Sequence, residues 1–117
     1  MKATEATGRR IVAQRSAGIC EVRIDGVCTG QAREWQHRKA RSQGGTWAPS
    51  NGIHACSHCH QYIHLHPAES VEKGWTVPSW ADPAETPALV WLWGHMQASA
   101  LLDDTGCFHL AERPEVA

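Results

Sequence analysis

Phenylalanine and tyrosine occur once each in this chain of 117 residues. So few of these aromatics leave a modest core. Six tryptophans make up part of the deficit, but a domain of this size gains from extra bracing. No apolar run approaches the roughly 20 residues that span a bilayer as a helix. The opening stretch, MKATEATGRR, lacks the apolar segment of a secretory signal, so the expected location is cytoplasmic. There is no internal repeat and no low-complexity tract. One domain over 1–117 is expected.

Basic residues are scarce after residue 66. Residues 67–117 hold two Lys/Arg against eight Asp/Glu, whereas 1–66 hold nine against four. Such asymmetry fits a nucleic-acid face on the first half, although ordinary segregation of surface charge gives the same count. The densest stretch, EWQHRKARSQGG at 34–45, sets His37 among Arg33, Arg38, Lys39 and Arg41, just after Trp35. Cations around an imidazole suit an anion and a base to act on it. A solvated turn would have the same composition.

Local patterns give the elements. TGRRIVAQRSA at 7–17 is a short basic helix with Ile11 and Val12 as its apolar stripe, stopped by Gly18. ICEVRIDGVC alternates like a strand into Asp25-Gly26, a hairpin-turn signal. QAREWQHR is a strand with His37 near its end, SQGGTWAPSNG a loop and GIHAC a short strand. SHCHQYIHLH is a helix capped by Ser57 and closed by Pro67, and PAESVEKG a second helix ending at Gly74. Beyond it, three prolines between Trp75 and Trp93 predict loops with one or two edge strands, and SALLDDTGCF a hairpin around Asp104-Thr105-Gly106. Trp35 and Trp47 are expected to cover the core; Trp91 and Trp93 alternate as strand residues do, in core or partner surface.

Cysteine is the more specific signal. Cys56 and Cys59 form CSHC, the spacing by which two thiolates grip one zinc ion from a tight turn. Cys20 and Cys28 flank the expected hairpin, which could bring them beside that turn and complete a four-cysteine site. His54 or His58 could replace one of the four. Cys107 stands alone and is expected to be a small apolar residue. Immediately after the C-x-x-C turn, His60 and His64 are one helical turn apart and share a face, a chelating pair for a divalent ion.

The combination WQHR…RSQGG…NG…CSHCHQYIH resembles the HNH family of nucleases. The resemblance covers about residues 20–66, with 67–117 as a short C-terminal α/β extension. It implies an α+β fold: a small zinc-stabilised ββα-metal finger behind an N-terminal helix. It implies a metal-dependent endonuclease in which His37 is the general base, Asn51 keeps His37 aimed, and His60 with His64 hold a catalytic Mg²⁺, Mn²⁺ or Ni²⁺. Structural zinc on Cys20, Cys28, Cys56 and Cys59 matches a known variant of the family. Arg33, Arg38, Lys39 and Arg41 would contact DNA phosphates, contributing affinity rather than sequence choice. Small phage and bacterial HNH proteins are the nearest in pattern, which implies duplex DNA as substrate and a phage packaging terminase as partner. One small finger makes few base contacts, so sequence specificity would require a homodimer.

The chain departs from the family at Gln36, where many members carry His or Asp as a metal ligand. An amide oxygen binds a hard cation less well than carboxylate and lacks the imidazole's basic nitrogen. The departure keeps open a catalytically silent zinc module that binds DNA or protein. A metal store or sensor is a third reading, but it leaves the cations around His37 without a role.

Overall fold

The computed structural model describes residues 3–93 and 95–111. The ends of the expected 1–117 domain, including the last residues of its extension, lie outside that description. Helix α1 (Glu5–Ser16) starts two residues earlier than the basic pattern indicated, because Thr4 caps it by accepting from the Thr7 N–H at 3.1 Å. It stops where Ala17 and Gly18 turn left-handed. Its buried face, Gly8, Val12, Arg15 and Ser16, follows the helical period. A Cβ at Gly8 would meet the Trp47 carbonyl oxygen, so only glycine allows this approach.

Strands β1 (Glu34–His37) and β2 (Gly52–Ala55) pair antiparallel, with Gln36 opposite Ile53 and His37 opposite Gly52. Alternation sends Glu34, Gln36, Ile53 and Ala55 to one face and Trp35, His37 and His54 to the other. The first face packs in the core with Ile63 of helix α2 (Ser57–Leu65). On the second, Ser16 of α1 bonds His54 Nδ1 at 2.6 Å. Helix α3 (Pro67–Glu72) follows directly, ending before Gly74, whose φ is 73°. Strands β3 (Ala88–Leu92), β4 (Met96–Leu102) and β5 (Phe108–Leu110) then form an antiparallel meander with β3 at its edge. Trp75 lies beneath it, its indole N–H donating to Leu89 O at 2.8 Å. The result is a small α+β fold with an N-terminal helix and two sheets. Among the described residues no helix is long and apolar enough to cross a membrane.

Three local expectations are corrected. Residues 19–31 are not a hairpin: only Ile19 and Gln31 bridge. The turn at Asp25-Gly26 exists, closed by Cys28 N–H on Ile24 O, but the Ile24, Thr29 and Gly30 N–H groups point to cysteine sulfurs instead of a facing strand. Helix α2 is capped by Cys56, whose sulfur accepts from the Cys59 N–H at 3.3 Å, and Ser57 is already helical. Trp93 falls beyond β3 with a φ of 51° and is 64% exposed, so the alternation ends at Trp91.

Two arginines hold the layers together from inside. Arg15 makes a two-pronged ion pair with Glu21, at 2.7 and 2.8 Å, and also donates to Pro49 O and Gly52 O. Arg38, expected on the DNA-binding surface, is 1% exposed. Its guanidinium donates to the carbonyls of Gly74, Ser50, Pro83 and Thr86 at 2.6–3.0 Å. Burial, with Arg15 nearby, pulls its pKa down to about 10. It is therefore not available to phosphate. Four carbonyls from three distant segments converge on it, and deleting it would strand them without donors. Arg38→Ala is expected to cost at least about 3 kcal/mol. Urea denaturation checks this, and an unchanged midpoint would show that the clamp carries no stability.

Candidate metal centre and histidine surface

The described residues bring together four cysteines from two loops. Cys20 and Cys28 come from the 19–31 segment, Cys56 stands between β2 and α2, and Cys59 lies in the first turn of α2. Their sulfurs lie within 4.8 Å of one another, with Cys20, Cys56 and Cys59 buried and Cys28 half-buried. A tetrahedral zinc site with Zn–S bonds near 2.3 Å has sulfurs about 3.8 Å apart; the Cys28 and Cys56 sulfurs are at 4.0 Å. All four are free thiols. Burial pushes the Cys28 thiol up to about 11 and raises Cys59 as well; neighbouring sulfurs push both the same way, while the Gly30 and Ile24 N–H groups oppose. Burial acts the same way on Cys56, but the N–H groups of Thr29 and Cys59 outweigh it and bring Cys56 down to about 6. A bound cation is what would let the other thiols ionise. His54 and His58 are not in the cluster, and Cys107 is exposed and separate.

One residue past Cys59, α2 carries the chelating pair. His60 Nε2 and His64 Nε2 are 3.2 Å apart, with the rings edge to face. An ion about 2.1 Å from both nitrogens would see them at an angle of about 100°, within the range of tetrahedral and octahedral sites. Gln36 lies on the sheet face from which Glu34 reaches α2. Its Nε2 donates to His37 O at 2.8 Å, while its Oε1 is buried and has no partner. A buried acceptor left free in this way is unusual. Glu34, which the sequence reading passed over, places a carboxylate oxygen 2.6 Å from His60 Nδ1. Its signal was the strand period: it stands two residues before Gln36 and shares its face. Burial lowers the proton affinity of His60, with Glu34 opposing and His64 adding to the shift.

His37 ends β1 on the opposite face, 4.5 Å from Trp47 between ring centroids, and its Nε2 is buried without a partner. Burial, then Arg41 and Arg9, hold its pKa below the ordinary value, and a charge on His60 would lower it further. No hydrogen bond joins it to His60 or His64 among the described residues. Arg9 and Arg41 both lie against Trp47, at 4.9 and 5.8 Å from the ring centroid. Arg9 comes from the basic helix, so its charge was legible but its convergence on Trp47 was not. Arg33 and Arg41 are exposed and Lys39 half-buried. Among the described residues no hydrogen bond joins the Asn51 side chain to His37. Its side chain accepts from Lys39 N at 2.7 Å and donates to Lys39 O and Thr46 O, clipping the Gly44-Gly45 loop closed beside the strand. Of the two sheet-covering tryptophans, Trp35 is buried and Trp47 half-buried.

No family model, curated protein or solved structure matches this chain. What the described residues offer is a buried four-cysteine cluster able to coordinate metal, followed on α2 by two histidines whose Nε2 atoms are 3.2 Å apart. Purified protein is expected to hold about one zinc per chain. Elemental analysis of a Cys56→Ser/Cys59→Ser double variant should find it lost, with a lower Tm; full zinc content in that variant would refute the site.

Proposed function

We propose that the chain is a zinc-braced ββα-metal finger of the HNH type that hydrolyses phosphodiester bonds in duplex DNA. The observation that carries this reading is the 3.2 Å separation of the His60 and His64 Nε2 atoms, on a helix that follows directly from a two-stranded antiparallel sheet ending in His37. The element order β1, β2, α2 and the order His37, Asn51, His60, His64 are those that the family resemblance implies. Duplex DNA follows from the basic side chains around His37, while a packaging terminase and a homodimer are proposed on the resemblance alone.

A phosphodiester resists hydrolysis because its charge repels hydroxide and its alkoxide leaves poorly. His37 is held neutral by burial and by Arg41 and Arg9, the state in which an imidazole accepts a proton from attacking water. Asn51 fixes the loop that carries Arg41 past Trp47, and so sets where a phosphate lies relative to His37. Arg9, Arg33, Lys39 and Arg41 would neutralise flanking phosphates, with Arg9 and Arg41 converging beside the base. His60 and His64 would hold a divalent ion, with Gln36 Oε1 as a further neutral donor; when bound, that ion supplies Lewis-acid stabilisation of the phosphate and the departing oxygen.

A second reading is a catalytically silent zinc module that binds DNA or protein. It is favoured by the four-cysteine cluster, which among the described residues is the one group of three or more His, Cys, Asp or Glu side chains placed for a metal, and by His37, whose Nε2 is buried on the sheet face opposite the histidine pair. Plasmid incubation with Mg²⁺, Mn²⁺, Ni²⁺ or EDTA separates the two. The nuclease reading expects metal-dependent cleavage lost in His37→Ala and in His60→Ala, with zinc content unchanged. Gln36→His should lower the metal concentration for half-maximal cleavage. Cleavage only after Gln36→His would establish the silent module, and no cleavage by either protein would sink the nuclease.

Binding should also weaken steeply with salt. Arg41→Ala is expected to reduce the slope of log affinity against log salt by about 1, the share of one phosphate contact. Filter binding across a salt series measures it, and a salt-independent affinity would remove DNA phosphate from the account.

A further inference from the structure

Neutral imidazole has two tautomers, and only one of them offers Nε2 as a lone pair. At His60 the choice is made by what meets Nδ1. The Glu34 carboxylate lies 2.6 Å away, and an ionised carboxylate can only accept. The proton therefore sits on Nδ1, and Nε2 presents its lone pair toward His64 Nε2 at 3.2 Å. In this arrangement His64 supplies the hydrogen between the two rings, and a cation entering there displaces that one proton. Glu34 reaches His60 because strand alternation puts it on the α2 side of the sheet and Cys56 caps α2 four residues before His60. Its contact is made across elements, on a carboxylate 42% exposed, so it neither fills the core nor caps a helix.

We propose that Glu34 is a positioning residue that fixes the tautomer and ring orientation of His60 and thereby sets the affinity of the His60–His64 pair for a divalent ion. This rests on the reading of that pair as a metal site. A carboxylate behind a ligating imidazole makes the ring a stronger donor, and removing such a partner commonly costs 10- to 100-fold in metal affinity. The donor set of two imidazoles also selects the ion class. It favours a borderline first-row cation such as Ni²⁺ over Mg²⁺, which prefers oxygen.

The test uses full-length protein with its structural zinc in place and has two readouts. Long-range ¹H–¹⁵N correlation of His60, with no second ion added, should show Nδ1 protonated and Nε2 bare in the natural protein. In Glu34→Ala the two tautomers should mix. Calorimetric titration with Ni²⁺ should give one equivalent bound by the natural protein, about 10- to 100-fold weaker binding by Glu34→Ala, and a smaller loss in Glu34→Gln, whose amide oxygen still accepts. His60→Ala should bind none. If Glu34→Ala matches the natural protein in tautomer and affinity, the proposal falls while the metal site stands. Weaker binding with an unchanged tautomer would make Glu34 a ligand and overturn it too. If the natural protein takes up no Ni²⁺, the metal reading itself fails and takes the proposal with it.

Discussion

Four sulfurs decide where the working surface lies. Cys56 both belongs to the cluster and caps α2, and Cys59 occupies the first turn of the same helix. His60 and His64 are therefore placed by the cysteine cluster rather than by helix propensity, which is weak over nine residues. On the other side, Cys20 and Cys28 tie down a loop with almost no strand pairing of its own. An ion held by the four sulfurs would tie the loop to the start of the helix. A chain with one Phe and one Tyr has little else to hold them.

The interior compensates for its small apolar content with buried cations. Arg15 joins α1 to the 19–31 loop and the sheet, and Arg38 gathers carbonyls from three segments. The basic stretch at 33–41 thus has a divided role: Arg38 is structural, while Arg33 and Arg41 remain on the surface. Arg9 joins Arg41 beside Trp47, so cations from two elements converge near His37. Charge counted along the chain cannot make that division, because burial of a guanidinium depends on where distant carbonyls end up.

Much of the architecture was legible because its signals are local. The basic helix, the two short strands, the helix after the C-x-x-C turn and the last hairpin are set by capping, turn chemistry and period. The four cysteines were legible from two paired spacings, without the backbone path that joins them. The 19–31 segment was misread because alternation and an Asp-Gly turn imitate a hairpin, whereas its N–H groups are taken by sulfur. Glu34 was passed over because a single carboxylate on a strand looks like ordinary solvated charge until the helix position is known. The cross-loop bonds expected of Asn51 run to Lys39 and Thr46, partners that only the folded loop brings together.

The proposed function rests on two metal positions with separate duties. The cysteines would offer a soft, enclosed, saturated site, and the histidines an open one with room for water and phosphate. Anomalous scattering from crystals soaked in Ni²⁺, recorded at the zinc and nickel edges, tests that separation most directly. The account predicts a zinc peak among Cys20, Cys28, Cys56 and Cys59 and a distinct nickel peak between His60 and His64. A single peak at the cysteines, with the histidine pair empty, would contradict it.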